Sequence, residues 1–175
     1  MKLEIANGIR LTEYRRSDQY ALIEFLNEPE IYARTLRIPF PYTVADAENW
    51  FDLVEKRTEQ NGCPVSRAIR NEADKLIGGV GLEGPSLDRS HRAEIGYWLA
   101  KPFWGRGIMT AVVGAVCRHA VDGLRLGKIT AHVFSFNDAS ARVLEKCGFE
   151  QEGFLRQHFL KDGQLIDVKA YGLVR

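Results

Sequence analysis

Apolar positions along the chain switch between two spacings, and each switch marks an element. Residues 9–12 alternate apolar and polar side chains, and residues 9–14 read as a first strand. Ser17-Asp18 then reads as an N-cap before an amphipathic helix whose apolar side carries Tyr20, Leu22, Ile23, Phe25 and Leu26. The run Arg37-Ile38-Pro39-Phe40-Pro41-Tyr42 cannot continue as helix, because each proline removes a donor and fixes φ. Thr43 followed by Asp46 has the spacing of a capping box, with Asp in place of the usual Glu, and predicts a helix through Trp50, Phe51 and Val54. Past Asn61-Gly62 the spacing shortens. Residues 65–70, 75–82 and 92–99 are strand-like runs joined by the turn-rich connections 71–74 and 85–90, which predicts an antiparallel meander.

Helical spacing returns over residues 111–121, with Ile108, Val112, Ala115, Val116 and Ala120 in phase. Gly123 and Gly127 end that helix and lead into a strand over residues 128–136. Asn137-Asp138-Ala139-Ser140 opens a last helix, with Val143, Leu144 and Cys147 on one face and Gly148 as its stop. Two final strands, residues 150–160 and Gln164–Val174, flank an Asp162-Gly163 turn. The resulting order, β-α-α-β-β-β-α-β-α-β-β, predicts an α+β chain around one central mixed sheet.

Composition narrows the classes. A chain of 175 residues suits one domain, residues 1–175, with a core of ordinary size. The formal net charge of +1 argues against direct nucleic-acid binding and against a strongly acidic partner, while leaving room for a local basic pocket. Met1-Lys2-Leu3-Glu4 lacks the apolar core of a signal peptide and no run approaches a membrane span, so a soluble cytoplasmic protein without a membrane partner is expected. Cys63, Cys117 and Cys147 are odd in number and scattered, which suits reduced thiols rather than a disulfide framework. His91, His119, His132 and His158 show no ligand spacing, and no metal is expected.

Candidate chemistry concentrates in Trp104-Gly105-Arg106-Gly107-Ile108-Met109-Thr110, between a strand-like segment and a helix. Glycines there remove side chains that would keep a phosphate from the backbone, and the helix start offers unpaired N–H groups and a positive dipole end. The same turn also fits a purely geometric use of glycine, and Arg106 reads equally as a phosphate neighbour or a solvated arginine. An antiparallel run ahead of the turn argues against the parallel βαβ setting of a dinucleotide fold.

Four motifs then occur in order. They are Ile38-Pro39-Phe40-Pro41-Tyr42-Thr43, Ala93-Glu94-Ile95-Gly96-Tyr97-Trp98-Leu99, the glycine turn, and Asn137-x-x-Ser140 leading to Leu144-Glu145-Lys146-Cys147-Gly148-Phe149. The set spans residues 11–171 and resembles the GNAT superfamily of acetyl-coenzyme A-dependent N-acyltransferases, in particular its RimJ/RimL-like branch, which includes acetyltransferases of ribosomal-protein N-termini. Two positions depart from the superfamily pattern. Its pyrophosphate signature, Gln/Arg-x-x-Gly-x-Gly/Ala, falls on Trp104, Gly107 and Met109, and a tyrosine common in the last helix is Leu144 here. The branch often lacks that tyrosine too.

The resemblance implies a single mixed, mostly antiparallel sheet, splayed between its fourth and fifth strands and flanked by helices. It implies acetyl-coenzyme A as acyl donor, held by backbone amides from Trp104 through Thr110, with the pantetheine arm between the strands at 95–99 and 128–136. A backbone N–H near Ile95 or Tyr97 would polarise the thioester carbonyl, beside Gly96. Glu94 is then the candidate base, with a solvent-facing partner of Arg92 or Lys101 as its other reading. Ser140 is the candidate acid, or a helix cap; Asn137 is a pantetheine contact in relatives. The acceptor pocket would draw on Tyr32, Phe40, Tyr42 and Trp98, with Asp167 and Tyr171 of the final hairpin as further candidates, each also compatible with core packing.

An α-amine near pKa 8 is about a tenth neutral at pH 7, whereas a lysine amine near 10.4 is neutral at only a few parts in ten thousand. A protein N-terminal amine is therefore the leading acceptor. A small amine (polyamine, amino acid or aminoglycoside) and a catalytically silent acyl-CoA-binding domain are the alternatives. Homodimers through a sheet edge or the final hairpin are compatible with the pattern.

Overall fold

The computed structural model describes residues 3–6, 8–84 and 90–175; residues 85–89 of the expected connection and the first two residues lie outside these. Among the described residues eight strands form one sheet: β1 (Leu3–Ala6), β2 (Ile9–Thr12), β3 (Ser66–Arg70), β4 (Leu76–Glu83), β5 (Arg92–Leu99), β6 (Lys128–Phe134), β7 (Glu150–Lys161) and β8 (Gln164–Val174). Their spatial order is β1-β2-β3-β4-β5-β6-β8-β7. Every pairing is antiparallel except β5–β6.

Strand alternation sorts the core onto two faces. On one face Ile69, Ile77 and Ile129 pack under α4 (Ile108–Arg118) and α5 (Asp138–Lys146), which contribute Val112, Val113 and Leu144. On the other, Ala68 and Leu76 lie beneath α1 (Gln19–Leu26), α2 (Pro29–Arg34) and α3 (Val44–Asn61), through Leu22, Leu26, Ile31 and Phe51. The capping box that starts α3 forms as expected. Thr43 Oγ1 accepts from Asp46 N–H at 3.3 Å and Asp46 Oδ2 accepts from Thr43 N–H at 2.8 Å.

The parallel pair β5–β6 holds for three rungs, Arg92↔Lys128, Ala93↔Ile129 and Glu94↔Thr130, and then stops. Beyond it β5 stays on β4 up to Gly78↔Leu99, while β6 stays on β8 up to Phe134↔Val168. The two strands therefore part between residues 95–99 and 131–134. The expected splay is present; an extra N-terminal strand makes these the fifth and sixth strands rather than the fourth and fifth.

Three local expectations need correction. Strand β1 and helix α2 were not foreseen: β1 has four residues, and α2 has six, too few to show a period. Helix α4 starts at Ile108 rather than 111, because Gly107 in the left-handed region serves as its N-cap. Asp18 occupies the N-cap position of α1 but caps nothing there. Its carboxylate takes both ends of the Arg70 guanidinium, at 2.8 and 2.7 Å, and Arg70 Nε donates to Thr12 Oγ1 at 2.7 Å. Arg70 is only 1% exposed, so this bidentate pair is a buried tie between β2, β3 and the start of α1.

Candidate active site

From the end of β5 the chain makes a short 3₁₀ turn, Lys101–Phe103, and then the glycine turn. Gly105 and Gly107 have φ of 74° and 72°, a region that side chains resist. A Cβ on either would meet nothing within 4 Å, so both face open space. The first bond of α4 runs from Ala111 N–H to Gly107 O at 3.1 Å. The amides of Ile108, Met109 and Thr110 thus precede the helical ladder and have no acceptor within it. Trp104 turns its ring inward: Nε1 donates to Leu99 O at 2.7 Å, bracing the turn against β5. Guanidinium groups cover the outside, Arg34 over Trp104 and Arg106 over Phe103, each 5.5 Å from the ring centroid.

Tyr97 links β5 to α5. Its hydroxyl lies 2.8 Å from Ser140 Oγ and donates to Ser140 O at 3.3 Å, at the first turn of α5. Burial pushes the Tyr97 phenol well above its ordinary pKa, so the group stays neutral. Asn137 Oδ1 accepts from Ser140 N–H at 3.3 Å and caps α5, leaving the Ser140 hydroxyl for Tyr97. Cap and hydroxyl pair are separate jobs.

At the last β5–β6 rung, Glu94 meets a residue that sequence spacing did not single out. His132 Nδ1 lies 3.1 Å from Glu94 Oε2. The two are distant in the chain, and only the Glu94↔Thr130 register places His132 beside the carboxylate, two residues on and on the same face. His158 stacks on His132, with centroids 5.5 Å apart and planes inclined by 23°. On the other side Glu83, the β4 partner of Glu94, sits between two arginines. Arg57 Nη1 is 3.6 Å from Glu83 Oε1, and Arg37 pairs with Oε2. Burial and, after it, the neighbouring Arg37 charge lower the Arg57 pKa.

Tyr97, Ser140, Glu94, His132, Glu83 and its two arginines border one cavity of about 1050 Å³, at the upper end of small-molecule sites. Of the residues expected from sequence, Glu94, Ile95, Tyr97, Trp98, Tyr42, Asn137, Ser140 and the whole of the turn from Trp104 to Thr110 line it. Tyr32 and Phe40 do not. They stack on each other at 5.2 Å, and Tyr32 Oη donates to Asp162 at the hairpin tip at 2.7 Å. Asp167 instead accepts from Gln157 N–H at 2.7 Å, and Tyr171 donates to Glu145 at 3.0 Å, both away from the cavity. Among the described residues no cluster of His, Cys, Asp or Glu is arranged to hold a metal ion.

A family profile described as an acetyltransferase (GNAT) domain matches residues 9–150. The chain belongs to the GNAT family. Among curated proteins, this GNAT chain is 37% identical over 107 residues to the uncharacterized N-acetyltransferase YoaA of Bacillus subtilis (strain 168), covering 61% of the chain and 59% of YoaA. It is 26% identical over 168 residues to the L-amino acid N-acetyltransferase AaaT of Escherichia coli (strain K12), covering 95% and 96%. The structure of RimL, a ribosomal L7/L12 alpha-N-protein acetyltransferase in complex with coenzyme A, superposes with a TM-score of 0.88 over 99% of this chain and 98% of RimL. At 18% identity that likeness is one of fold.

Proposed function

We propose that the protein is an acetyl-coenzyme A-dependent N-acetyltransferase, with the α-amine of a protein N-terminus as its leading acceptor. The observation that carries this reading is the parting of β5 from β6 directly after Glu94. It leaves an open strand edge that leads from the glycine turn to the Glu94–His132 pair. The glycine turn fits a pyrophosphate. Two left-handed glycines face open space, and three amides lie ahead of the helical ladder.

Bound there, acetyl-coenzyme A supplies an acetyl group activated as a thioester. The amides of Gly105 through Thr110 would hold the pyrophosphate, with Arg106 and Arg34 adding positive charge outside. The backbone N–H groups in residues 95–99 that point away from β4 would orient the arm and polarise the carbonyl. The Glu94–His132 pair would take the proton of the attacking amine, and Ser140, backed by Tyr97, would donate one to the departing sulfur and recover it from water. A thiol near pKa 8.5 is a mild leaving base, so a hydroxyl suffices as its donor. We place the reaction in the cytoplasm, where ribosomal proteins carrying such amines are made; no helix of the described residues is long and apolar enough to cross a membrane.

A second reading, a small α-amino acid acceptor, is favoured by the Arg37–Glu83–Arg57 group. Two guanidinium groups share one carboxylate there, and an acceptor carboxylate would fill the deficit. The acceptor named for the relative AaaT is of that kind. The test of function is acetylation, read by mass spectrometry, of peptides with free N-termini, amino acids, their amides and polyamines. Tight acetyl-coenzyme A binding without transfer to any of them would instead identify a silent acyl-coenzyme A-binding domain.

A further inference from the structure

We infer that His132, through Nε2, is the atom that receives the acceptor's proton, and that Glu94 serves to hold and polarise the ring. The inference rests on the acetyl-transfer reading and assigns the roles within its Glu94–His132 pair.

Position comes first. Glu94 and Thr130 form the last rung before the strands part, so His132 emerges at the mouth of the opening. Both Glu94 and His132 line the cavity. A carboxylate 3.1 Å from Nδ1 favours the proton on that nitrogen, which leaves the Nε2 lone pair free to accept.

The ring is also braced by a feature that has no other evident use. Strand β7 shifts register between Leu155 and Phe159, with Gln157 at φ 51° and its N–H held by Asp167 Oδ1 at 2.7 Å. That bulge lays His158 against the face of His132 and sets the Phe159 ring nearly perpendicular to it, with centroids 6.1 Å apart and planes at 79°. The groups turned toward His132 are therefore Glu94 from β5 and His158 with Phe159 from β7. Strand β8 contributes Ala170 opposite, and the neighbouring Lys169 ammonium is tied to Asp138 at 2.9 Å.

Chemistry agrees with position. An ordinary imidazole is about two pK units more basic than an ordinary glutamate, and so is better matched to an α-amine near 8. As the N–C bond forms and the C–S bond breaks, the amine proton moves to Nε2. The resulting cation lies beside the Glu94 carboxylate and, being 26% exposed, passes its proton to water.

The test is steady-state acetylation of a free-N-terminus peptide by the wild type and by His132→Gln, Glu94→Gln and His132→Gly. His132→Gln is expected to lose about 10²–10⁴-fold in kcat, with KM for acetyl-coenzyme A unchanged. Glu94→Gln, whose amide oxygen still faces Nδ1, is expected to lose about tenfold, within the usual worth of one hydrogen bond to a charged group. Added imidazole should restore part of the His132→Gly rate, a response that a merely structural role would not give. A His132→Gln enzyme near wild-type kcat, or a His132→Gly enzyme that binds acetyl-coenzyme A yet ignores imidazole, overturns the inference. A wild type inactive on every amine overturns the acetyl-transfer reading, and the inference falls with it.

Discussion

Gly107→Ala separates the phosphate cradle from a turn that needs glycine for geometry alone. At φ 72° an alanine costs about 1–2 kcal/mol of left-handed strain. In a chain of this size that lowers Tm by about 2–4 °C per kcal/mol. The new methyl group meets nothing within 4 Å, so the free protein has no further reason to lose stability. A bound pyrophosphate would occupy that same space. Pushing it off two amide donors, each worth about 1.5–3 kcal/mol to a charged acceptor, removes at least 3 kcal/mol of binding. That corresponds to about a hundredfold rise in Kd or more. The matched control is Gly163→Ala at the β7–β8 hairpin, where φ is 75° and a Cβ also meets nothing within 4 Å. Both variants should melt lower by similar amounts in thermal scans, and only Gly107→Ala should lose acetyl-coenzyme A affinity by titration calorimetry. Equal Kd values for Gly107→Ala and wild type, alongside the expected drop in Tm, would refute the cradle.

The remaining predictions test the frame and the proton donors. Asp18→Ala leaves the Arg70 guanidinium buried beside a lost partner and should cost about 3–5 kcal/mol in urea unfolding; a loss under about 1 kcal/mol would mean the pair is not the buried tie described. Ser140→Ala and Tyr97→Phe act on one hydrogen-bonded unit, so the double variant should be scarcely slower than Ser140→Ala alone, whereas kcat losses that multiply would show independent roles. Burial raises the pKa of Tyr14, Tyr42 and Tyr97 in the folded state, so each contributes stability that is complete below the unfolded tyrosine value near 10 and fades as pH climbs above it. Denaturant midpoints should accordingly fall above about pH 10 and, in Tyr97→Phe, fall less steeply.

What the sequence made legible followed from local rules. The Thr43–Asp46 box, the meander of β3 to β5 and the glycine turn each depend on residues a few positions apart, and all three are where the pattern put them. Two of the misses have the opposite cause, a distant partner, and a third is a matter of length. Asp18 has the composition of an N-cap, yet its partner, Arg70, comes from β3. Helix α2 is a single turn and a half opened by Pro29, too short to display a period. Tyr32 and Phe40 read as pocket aromatics, but Asp162 at the far hairpin tip draws Tyr32 away. The outcomes at Asp18 and Tyr32 were each decided by a residue remote in sequence.

The same remoteness explains why His132 escaped notice and why it matters. As a sequence feature it is one histidine in an alternating strand, with no ligand spacing around it. Its place beside Glu94 is a consequence of register: three parallel rungs bring β6 level with β5, and the loss of a fourth opens the sheet just where the next side chain on that face projects. One event therefore leaves a strand edge unpaired and sets an imidazole beside it, which is the arrangement the proposed acetyl transfer uses. A reader of sequence could have found the pair by sliding 92–99 against 128–134 and asking which charged and titratable residues share a face at each register, since only alignments that keep Ala93 and Ile129 both in the core are physically admissible. The chemistry proposed for the site is in this sense a by-product of where the sheet stops pairing.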